Sequence, residues 1–438
     1  MPHTPNRLAA SIARALAVAV LGCAARAHAD PVFDYSAGVM LEHSDNINLS
    51  ATDPVSQNVL IPTLSVRANS KGSAVEARAA GTFEYRDYLG GAFGDEFRSQ
   101  VSGIVDWHIS PQRLDWVVED YLGLQPINAL ESNAPSNLQQ TNVFSTGPTL
   151  QARFSEAWRG ALDLRYTNSH ADTSTEFNSD RYSAAGHALY ELDANSTLSA
   201  SAADTSVRYD EAASRRFNYD RNDVYGSYQR TTRQFNMLAA LGYSWVDLNR
   251  LGKHTGPLFR ANATWTPSTH TSIGVTLQRE FSDASQDLIV DPSRIGNTGI
   301  GTGLNGAVIT PQVYVEKYVG LNFSHAEERF RVGVAPFVRQ RNYIEGDFPD
   351  ERSRGAYVDG AYFLNSAWSL GAFVGDERRR YTEIGRTDDD LRYGLSLSWR
   401  NARHWLWSLS ATRTRRDSDA ELSSYTENAI FLSLTYNR

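Results

Sequence analysis

The chain alternates apolar and polar residues over most of its length after residue 29. Residues 235–246, 258–265 and 391–399 each place an apolar side chain at nearly every second position. A period of two residues is typical of β-strands whose two faces meet different surroundings. No stretch after residue 29 shows a convincing helical period of 3.6 residues. The pattern therefore predicts a succession of strands and almost no helix.

The connections between these strands alternate in length as well. Short polar turns are predicted at 69–72, 110–113, 155–157, 193–195, 231–233, 267–270, 325–328, 365–367 and 401–404. Longer connections rich in Gly, Asp and Ser centre on 43–57, 88–95, 125–139, 168–179, 209–218, 247–255, 282–310, 343–353, 382–389 and 416–424. Together they join about 20 strands, with 18 or 22 as alternatives, and place both termini on the short-turn side.

This alternation favours one class of all-β fold. Outer-membrane barrels have an even number of antiparallel strands, short periplasmic turns, long external loops, an apolar outside and a polar inside. Closure of the sheet also satisfies every backbone hydrogen bond in lipid. A soluble sandwich or propeller gives no reason for connections to alternate in length. We therefore expect a single transmembrane antiparallel up-and-down β-barrel over residues 30–438.

Aromatic residues follow the same division. Eight of the nine tryptophans are found near the short turns, and Trp245 alone is beside a long connection; the eight are Trp107, Trp116, Trp158, Trp265, Trp368, Trp399, Trp405 and Trp407. Tyrosines cluster near the long connections, at Tyr85, Tyr88, Tyr121, Tyr166, Tyr209, Tyr219, Tyr243, Tyr343, Tyr357, Tyr381 and Tyr425. Aromatic girdles at both membrane interfaces are a feature of such barrels, so the sorting predicts two rings.

Composition at first suggests something else. A length of 438 residues and a mean hydropathy of −0.42 would suit a soluble protein of two or three domains. The mean hydropathy excludes a polytopic helical membrane protein, and 11% aromatic residues exclude a disordered chain. A barrel reconciles these numbers, because only alternate strand residues face lipid.

Residues 1–29 have the features of a secretory signal peptide. Arg7 and Arg14 precede the apolar residues 15–21. The segment ends Ala27-His28-Ala29 and contains no acidic residue. Lipidation at Cys23 is a minor alternative. Cleavage after residue 29 would remove three arginines and no acid, taking the net charge from −8 to −11, together with the only cysteine.

The parity opposite the apolar residues should line the lumen, and it is heavily charged. The residues expected to line it are Glu76, Arg78, Arg86, Arg98, Asp106, Glu119, Arg165, Arg260, Arg331, Arg339, Arg341, Arg379 and Arg392. Arginine suits carboxylate and phosphate groups, so one interpretation is a conduit for anionic or hydroxyl-rich solutes. The other is that these arginines pair with acids across the barrel and fill it.

The longest connection, residues 282–310, contains five glycines between Gly296 and Gly306. It could fold into the lumen as a constriction or lid, or extend outside as an external loop. A barrel of about 20 strands is wide enough for an aqueous pore unless a loop enters it.

No catalytic, cofactor or metal site is expected. Residues 30–438 contain no cysteine, no Gly-x-Ser-x-Gly, no His-Glu-x-x-His and no phosphate loop. His108 and His187 share the inward parity, but neither has an evident serine and third partner. The acidic runs Asp388–Asp390 and Asp417–Asp419 lack the spacing of a calcium loop.

Several segments resemble a family of outer-membrane β-barrel proteins, porin-like in character, that are associated with exopolysaccharide-secretion systems. The similar segments are Glu42–Leu49, Leu114–Asp120, Asn142–Pro148 and Arg339–Tyr343. The resemblance implies an outer-membrane location and a role in polysaccharide export or surface-associated transport, with no catalytic residue to carry over. The chain ends Tyr436-Asn437-Arg438, whereas such barrels often end on an aromatic residue.

These observations predict an outer-membrane channel, not an enzyme, for polysaccharide or other polar or anionic solutes. The expected partners are outer-membrane lipid, lipopolysaccharide, polysaccharide and secretion-system components, with no nucleic acid and no cofactor. The alternatives are a non-transporting, adhesin-like surface barrel and, behind it, a barrel hydrolase.

Overall fold

The computed structural model describes residues 32–289, 308–346, 348–401 and 404–438. The predicted signal peptide at 1–29, Cys23 and the glycines between 296 and 306 lie outside these residues. The signal peptide therefore stays a prediction.

The described residues form one sheet of 20 antiparallel strands that closes on itself, as the sequence predicted. Each strand pairs with the next along the chain, and β1 pairs with β20, from Ser36 opposite Asn437 to Ser44 opposite Ala429. The strands are β1 Val32–Ser44, β2 Gln57–Lys71, β3 Val75–Tyr88, β4 Glu96–Ser110, β5 Leu114–Pro126, β6 Leu138–Arg153, β7 Trp158–Ala171, β8 Ser179–Asp193, β9 Ser196–Tyr209, β10 Tyr219–Thr231, β11 Phe235–Leu248, β12 Gly252–Ser268, β13 Thr271–Ser282, β14 Tyr314–Ala326, β15 Phe330–Tyr343, β16 Glu351–Phe363, β17 Trp368–Tyr381, β18 Arg386–Asn401, β19 Trp405–Ser418 and β20 Tyr425–Asn437.

Within the described residues, helix is confined to single turns. One α-helical turn, Ala284–Asp287, follows β13, and 3₁₀ turns occupy Pro135–Asn137, Thr175–Phe177 and Ser214–Phe217. Among the residues that the structure covers, no helix is long and apolar enough to cross a membrane.

Both ends of the described barrel lie on the short-turn side. Arg438 N–H donates to the Tyr35 carbonyl at 2.9 Å, beside the start of β1. We call this side of the barrel the short-turn end and the opposite side the long-loop end.

Two connections at the long-loop end are shorter than predicted. Only residues 249–251 join β11 to β12, and only 382–385 join β17 to β18. The predicted loops 247–255 and 382–389 contain polar residues that instead extend the strands, since Lys253 pairs with Asp247 and Asp388 pairs with Arg379 in the ladder. A polar strand end and a loop have similar compositions, so the sequence did not distinguish them. The predicted lengths of these two connections were therefore wrong.

The outer face is apolar and carries tryptophans at the short-turn end. Trp107, Trp158 and Trp265 are exposed there, and Trp368 stacks on Trp399 with ring centroids 5.7 Å apart. The predicted tryptophan ring is therefore present on the outside of the barrel.

The predicted tyrosine ring is largely wrong. Tyr85 and Tyr243 are exposed on the outer face, but Tyr88, Tyr219 and Tyr381 are almost completely buried. These three share the inward face with lumen charges, as Tyr381 opposite Glu351 shows. Parity, not proximity to a loop, decides which side a ring occupies, because successive strand residues point to opposite faces.

Candidate functional site: the lumen and its inward-folded loops

The structure places the thirteen candidate lumen residues on the inward face of their strands. The register pairs inward residues across neighbouring strands, for example Glu76 with Asp106 and Arg339 with Ser353. The residues on this face are Glu76, Arg78, Arg86, Arg98, Asp106, Glu119, Arg165, Arg260, Arg331, Arg339, Arg341, Arg379 and Arg392.

The lumen is wide at the short-turn end and filled at the long-loop end. Near the short turns, Glu76, Arg78 and Arg331 point inward and are nevertheless exposed to solvent. Near the long loops, Arg86 and Arg341 are buried, the latter with only 2% of its surface exposed. The lumen therefore narrows from the short-turn end toward the long-loop end.

One side of the lumen encloses a cavity of about 680 Å³, which we call the chamber. Strands β1–β4 and β17–β20 form its wall, and Leu124 of β5, Asn133 of the β5–β6 connection and Leu138 of β6 also line it. Its volume is within the range of pockets that bind small molecules. The polar lining residues are Glu42, Thr63, Thr82, Glu84, Arg86, Arg98, Ser99, Gln100, Asn133, Arg379, Asp390, Arg392, Thr412, Thr414, Arg416, Tyr425, Glu427, Ser433 and Thr435.

Several charges of the chamber are paired. Arg86 contacts Glu42 with 2.5 Å between Nη2 and Oε2, and Asp390 accepts from both Arg379 and Arg416, the latter at 2.7 Å. Enclosed ions need such partners because burial of an unpaired charge is costly. This pairing favours the second interpretation of the lumen arginines, in which acids balance them.

The other side of the lumen is closed by the ends of the β13–β14 connection. Residues 283–289 and 308–313, which we call the inner segment, are packed against strands on the facing wall. Ala284, Leu288 and Ile309 form an apolar cluster with Val143 of β6 and Phe177. Of the two interpretations of this connection, its described ends follow the inward one.

Polar contacts fasten the inner segment to β7, β8 and β10. Ser285 Oγ lies 2.9 Å from Ser169 Oγ of β7. The Asp283 carboxylate accepts hydrogen bonds from Arg181 of β8 and, at 2.5 Å, from the Tyr219 hydroxyl of β10. These three strands lie several positions around the barrel from β13, so the segment crosses part of the lumen.

The ionisation of Asp283 is set by this packing. Burial opposes its charged form, but Arg181, Tyr219 and the backbone N–H of Gln286 outweigh burial and hold the pKa of the carboxyl below its ordinary value. The anchor is therefore ionised at neutral pH.

Arg341 on β15 fastens the other end of the same helical turn. Its Nη2 donates to Asp287 at 2.7 Å. Its Nη1 lies 3.6 Å from Glu351 Oε2, and its Nε lies 3.7 Å from Glu316 Oε1. Asp287 also accepts from the Tyr314 hydroxyl at 2.7 Å. One buried guanidinium thus joins the inner segment to the carboxylates of β14 and β16.

The β5–β6 connection folds inward from the opposite side. Asn137 hydrogen-bonds the Asn128 and Ser132 carbonyls, both at 2.9 Å, and so holds residues 127–137 together. The Glu131 carbonyl accepts from Arg416 of β19 at 3.2 Å. This loop therefore lies over the chamber.

One group of lumen residues was missed from the sequence. His187 Nδ1 lies 2.8 Å from Ser201 Oγ, and His187 Nε2 lies 3.2 Å from Asp163 Oδ2. These residues come from β8, β9 and β7, and shared inward parity on successive strands was the only available signal. The expectation that His187 has no serine and third partner is thus wrong. The backbone N–H groups beside Ser201 and His187 lie in the strand ladder, so they are not free to stabilise an oxyanion.

His108 has an acid but no serine in its contacts, with Nδ1 2.7 Å from Asp115 Oδ1. The acidic runs lie in strands except for Asp419, which follows β19. Asp388 and Asp390 face inward onto Arg386 and Arg416, and Asp417 contacts Arg415. Within the described ranges, no three His, Cys, Asp or Glu residues are grouped as metal ligands.

Comparison with known proteins adds a partial family match. Residues 312–436, which contain β14–β20 up to Tyr436, match the family described as "Surface lipoprotein assembly modifier". No curated protein matches the chain significantly.

Solved structures that are similar include bacterial barrels of low sequence identity. The siderophore receptor PirA from Pseudomonas aeruginosa is 12% identical, with 93% of this chain and 80% of that chain covered and a TM-score of 0.43. OccK2 (OpdF) from Pseudomonas aeruginosa is 9% identical, with 93% and 98% covered and a TM-score of 0.41. The FrpB iron transporter from Neisseria meningitidis is 8% identical, with 92% and 82% covered and a TM-score of 0.43. Likenesses at this level carry no argument about function.

Proposed function

We propose that the protein is an outer-membrane channel for small polar solutes, narrowed at its external end by two inward-folded loops. The observation that supports this most is the polar chamber of about 680 Å³ inside a closed barrel whose outer face is apolar. A tryptophan ring on that outer face marks one membrane interface, and the long loops then belong outside the cell.

The lining of the chamber suggests the class of solute. Hydroxyls such as Thr63, Thr82 and Thr414 alternate with paired charges such as Arg86 and Glu42. Such a surface offers hydrogen bonds to sugars and other neutral polar solutes, and the balance of Arg with acid leaves only weak charge selectivity. A polysaccharide chain would pass only after the inner segment and residues 127–137 moved aside.

Cysteine accessibility in planar bilayers tests the channel directly. Cys23, the only cysteine of the chain, is replaced by Ala, and Thr63→Cys places one thiol in the chamber wall. A charged methanethiosulfonate reagent should then reduce the ion current. Leu64→Cys is the matched control, because Leu64 is exposed on the outer face and its modification should leave the current unchanged.

A folded barrel that carries no current would overturn the proposal, as would equal sensitivity of the two variants. Polymers of graded size added to the same bilayers test the passage of polysaccharide. Block of the current by short oligosaccharides and exclusion of long ones would limit the solutes to small ones.

The family match over residues 312–436 supports a second candidate function, the assembly of lipoproteins at the cell surface. Cells with and without the protein would be treated with external protease. Loss of protease-sensitive surface lipoprotein in the cells without it, together with no current from the folded barrel in planar bilayers, would favour this candidate over transport.

A further inference from the structure

A belt of basic residues lies on the outer face of β13–β19, close to the long-loop end. We call it the outer cation belt, and each member lies within about five residues of the long-loop end of its strand. The register places these residues on the face opposite to the lumen: Arg279, Lys317, Arg352, Arg354, Arg378, Arg380, Arg413 and Arg415.

The belt continues directly into the apolar outer surface. On β14, Lys317 shares its face with the exposed residues Val319 and Leu321. On β19, Arg413 shares its face with the exposed residue Leu409. The cations therefore lie where the apolar surface ends, which in a spanning barrel is the level of the lipid headgroups.

Within the belt, cations face each other directly across neighbouring strands. Arg279 is opposite Lys317, and the register also pairs Arg352 with Arg380 and Arg354 with Arg378. Like charges opposite each other destabilise an antiparallel pair. Three such pairs on one surface indicate that an anion from outside the chain compensates them.

Acidic residues of the chain supply little of this compensation. Arg378 lies 3.4 Å from Asp389, and Arg415 lies 2.8 Å from Asp417. For Lys317, Arg352, Arg354, Arg380 and Arg413, no acidic partner is found in the part of the chain that the structure describes.

The corresponding level of β1–β12 is different. Its outward basic residues are Arg208 and Lys253, and each has an acid, with Arg208 2.7 Å from Asp220 and Lys253 3.2 Å from Asp247. The unpaired cations are thus gathered on one arc of the barrel.

We propose that the outer cation belt binds the phosphate groups of the lipid A part of lipopolysaccharide. This inference rests on the proposed outer-membrane location. The planar guanidinium of arginine suits bidentate binding of phosphate, and several arginines at one level match a lipid with more than one phosphate. The lipid is favoured over a soluble phosphate because the belt borders the apolar surface that acyl chains would cover.

The test uses the full chain in nanodiscs that contain lipid A. Binding to diphosphoryl lipid A is compared with binding to lipid A from which both phosphates have been removed. The belt variant Arg352→Gln/Arg354→Gln/Arg378→Gln/Arg380→Gln is compared with Arg208→Gln/Lys253→Gln, which removes exposed cations from the other arc. Heat modifiability on gels and conductance confirm that each variant is folded with an unchanged lumen.

Diphosphoryl lipid A should bind the wild type in a salt-sensitive manner. The belt variant should bind it at least about tenfold more weakly, since the variant lacks four cations that attract an anionic lipid surface. The Arg208→Gln/Lys253→Gln control should bind diphosphoryl lipid A as the wild type does. The dephosphorylated lipid should be bound weakly by all three proteins.

Equal binding by the belt variant and the wild type would overturn the inference. The belt would then have a different anionic ligand, such as an acidic protein. Equal binding of the two lipids would overturn it as well. Recovery of the wild type outside the outer-membrane fraction would instead refute the proposed function, so the two failures are distinguishable.

Discussion

Arginines on the two faces of β17 have opposite surroundings. Arg379 faces the lumen and pairs with Asp390, while its neighbours Arg378 and Arg380 face outward, opposite Arg354 and Arg352. At the filled, long-loop end of the lumen a buried charge has little solvent to replace its partner, so acids accompany the cations there. On the outer face a cation can lie opposite another cation, as Arg380 lies opposite Arg352, although Arg378 also lies 3.4 Å from Asp389. The environment of each face, not the residue type, decides whether an arginine needs a partner within the protein.

The largest expected difference between the two faces concerns stability. Arg341→Gln leaves Asp287, Glu316 and Glu351 without their shared cation and should lower the free energy of unfolding by about 3–5 kcal/mol. Arg352→Gln, on the outer face of the next strand, should change it by no more than about 0.5 kcal/mol. Urea unfolding in lipid vesicles measures both, and similar losses would contradict the distinction between the faces.

A smaller effect should follow from the ionisation of the inner-segment anchor. The pKa of Asp283 is lowered in the folded protein. The ionised carboxylate therefore stabilises the attachment of the inner segment fully above the unfolded pKa of about 3.9, and this stabilisation is lost as the pH falls through the folded pKa. The current should therefore stay constant from about pH 8 to pH 5 and rise only below about pH 4. Asp283→Asn removes a charge-assisted contact worth about 2 kcal/mol and should raise the current at neutral pH. A wild-type current that changes between pH 5 and 8 would contradict this assignment.

On the outer face, we expect removal of a cation to stabilise the barrel instead of destabilising it. Arg380→Gln removes one member of a like-charge pair and should stabilise the barrel by roughly 0.5 kcal/mol in uncharged detergent at low salt. Added salt should abolish the gain, because exposed charges are screened. Thermal unfolding of the wild type and the variant measures it, and a destabilised variant would argue for a partner within the chain.

The smallest effect is expected at the Ser201, His187 and Asp163 group. The backbone N–H groups beside it lie in the strand ladder and are not free to stabilise an oxyanion, so a fluorophosphonate probe should not label Ser201 above the level found with Ser201→Ala. Mass spectrometry of the labelled protein is the measurement. Labelling that disappears in His187→Gln would instead support the barrel-hydrolase alternative.

Much of the fold followed from local pattern. A period of two residues along residues such as Leu391–Trp399 requires two unlike faces, and regular turns between such segments predict 20 strands and both termini at one end. The same parity predicted which side chains share a face with Arg339 or Glu76. It also placed tryptophans such as Trp107 outside.

The contents of the lumen did not follow from local pattern. Asp283 meets Arg181 and Tyr219 only because the closed sheet brings β8 and β10 near the end of β13. Ser201 and His187 meet because their strands are neighbours in register. The extents of β12 and β18 were misjudged, because ladder partners, not composition, decide whether polar residues such as Lys253 continue a strand.

The sequence by itself thus determined the strand number, the two faces and the end at which the chain starts and finishes, since these depend on contacts between residues close in the chain and on side-chain alternation. Only the tertiary structure decided which arginines are paired, where the tyrosines lie and that residues 283–289 close part of the lumen. These features depend on closure of the barrel, which brings residues far apart in sequence within a few ångströms and makes a partner necessary for each enclosed charge.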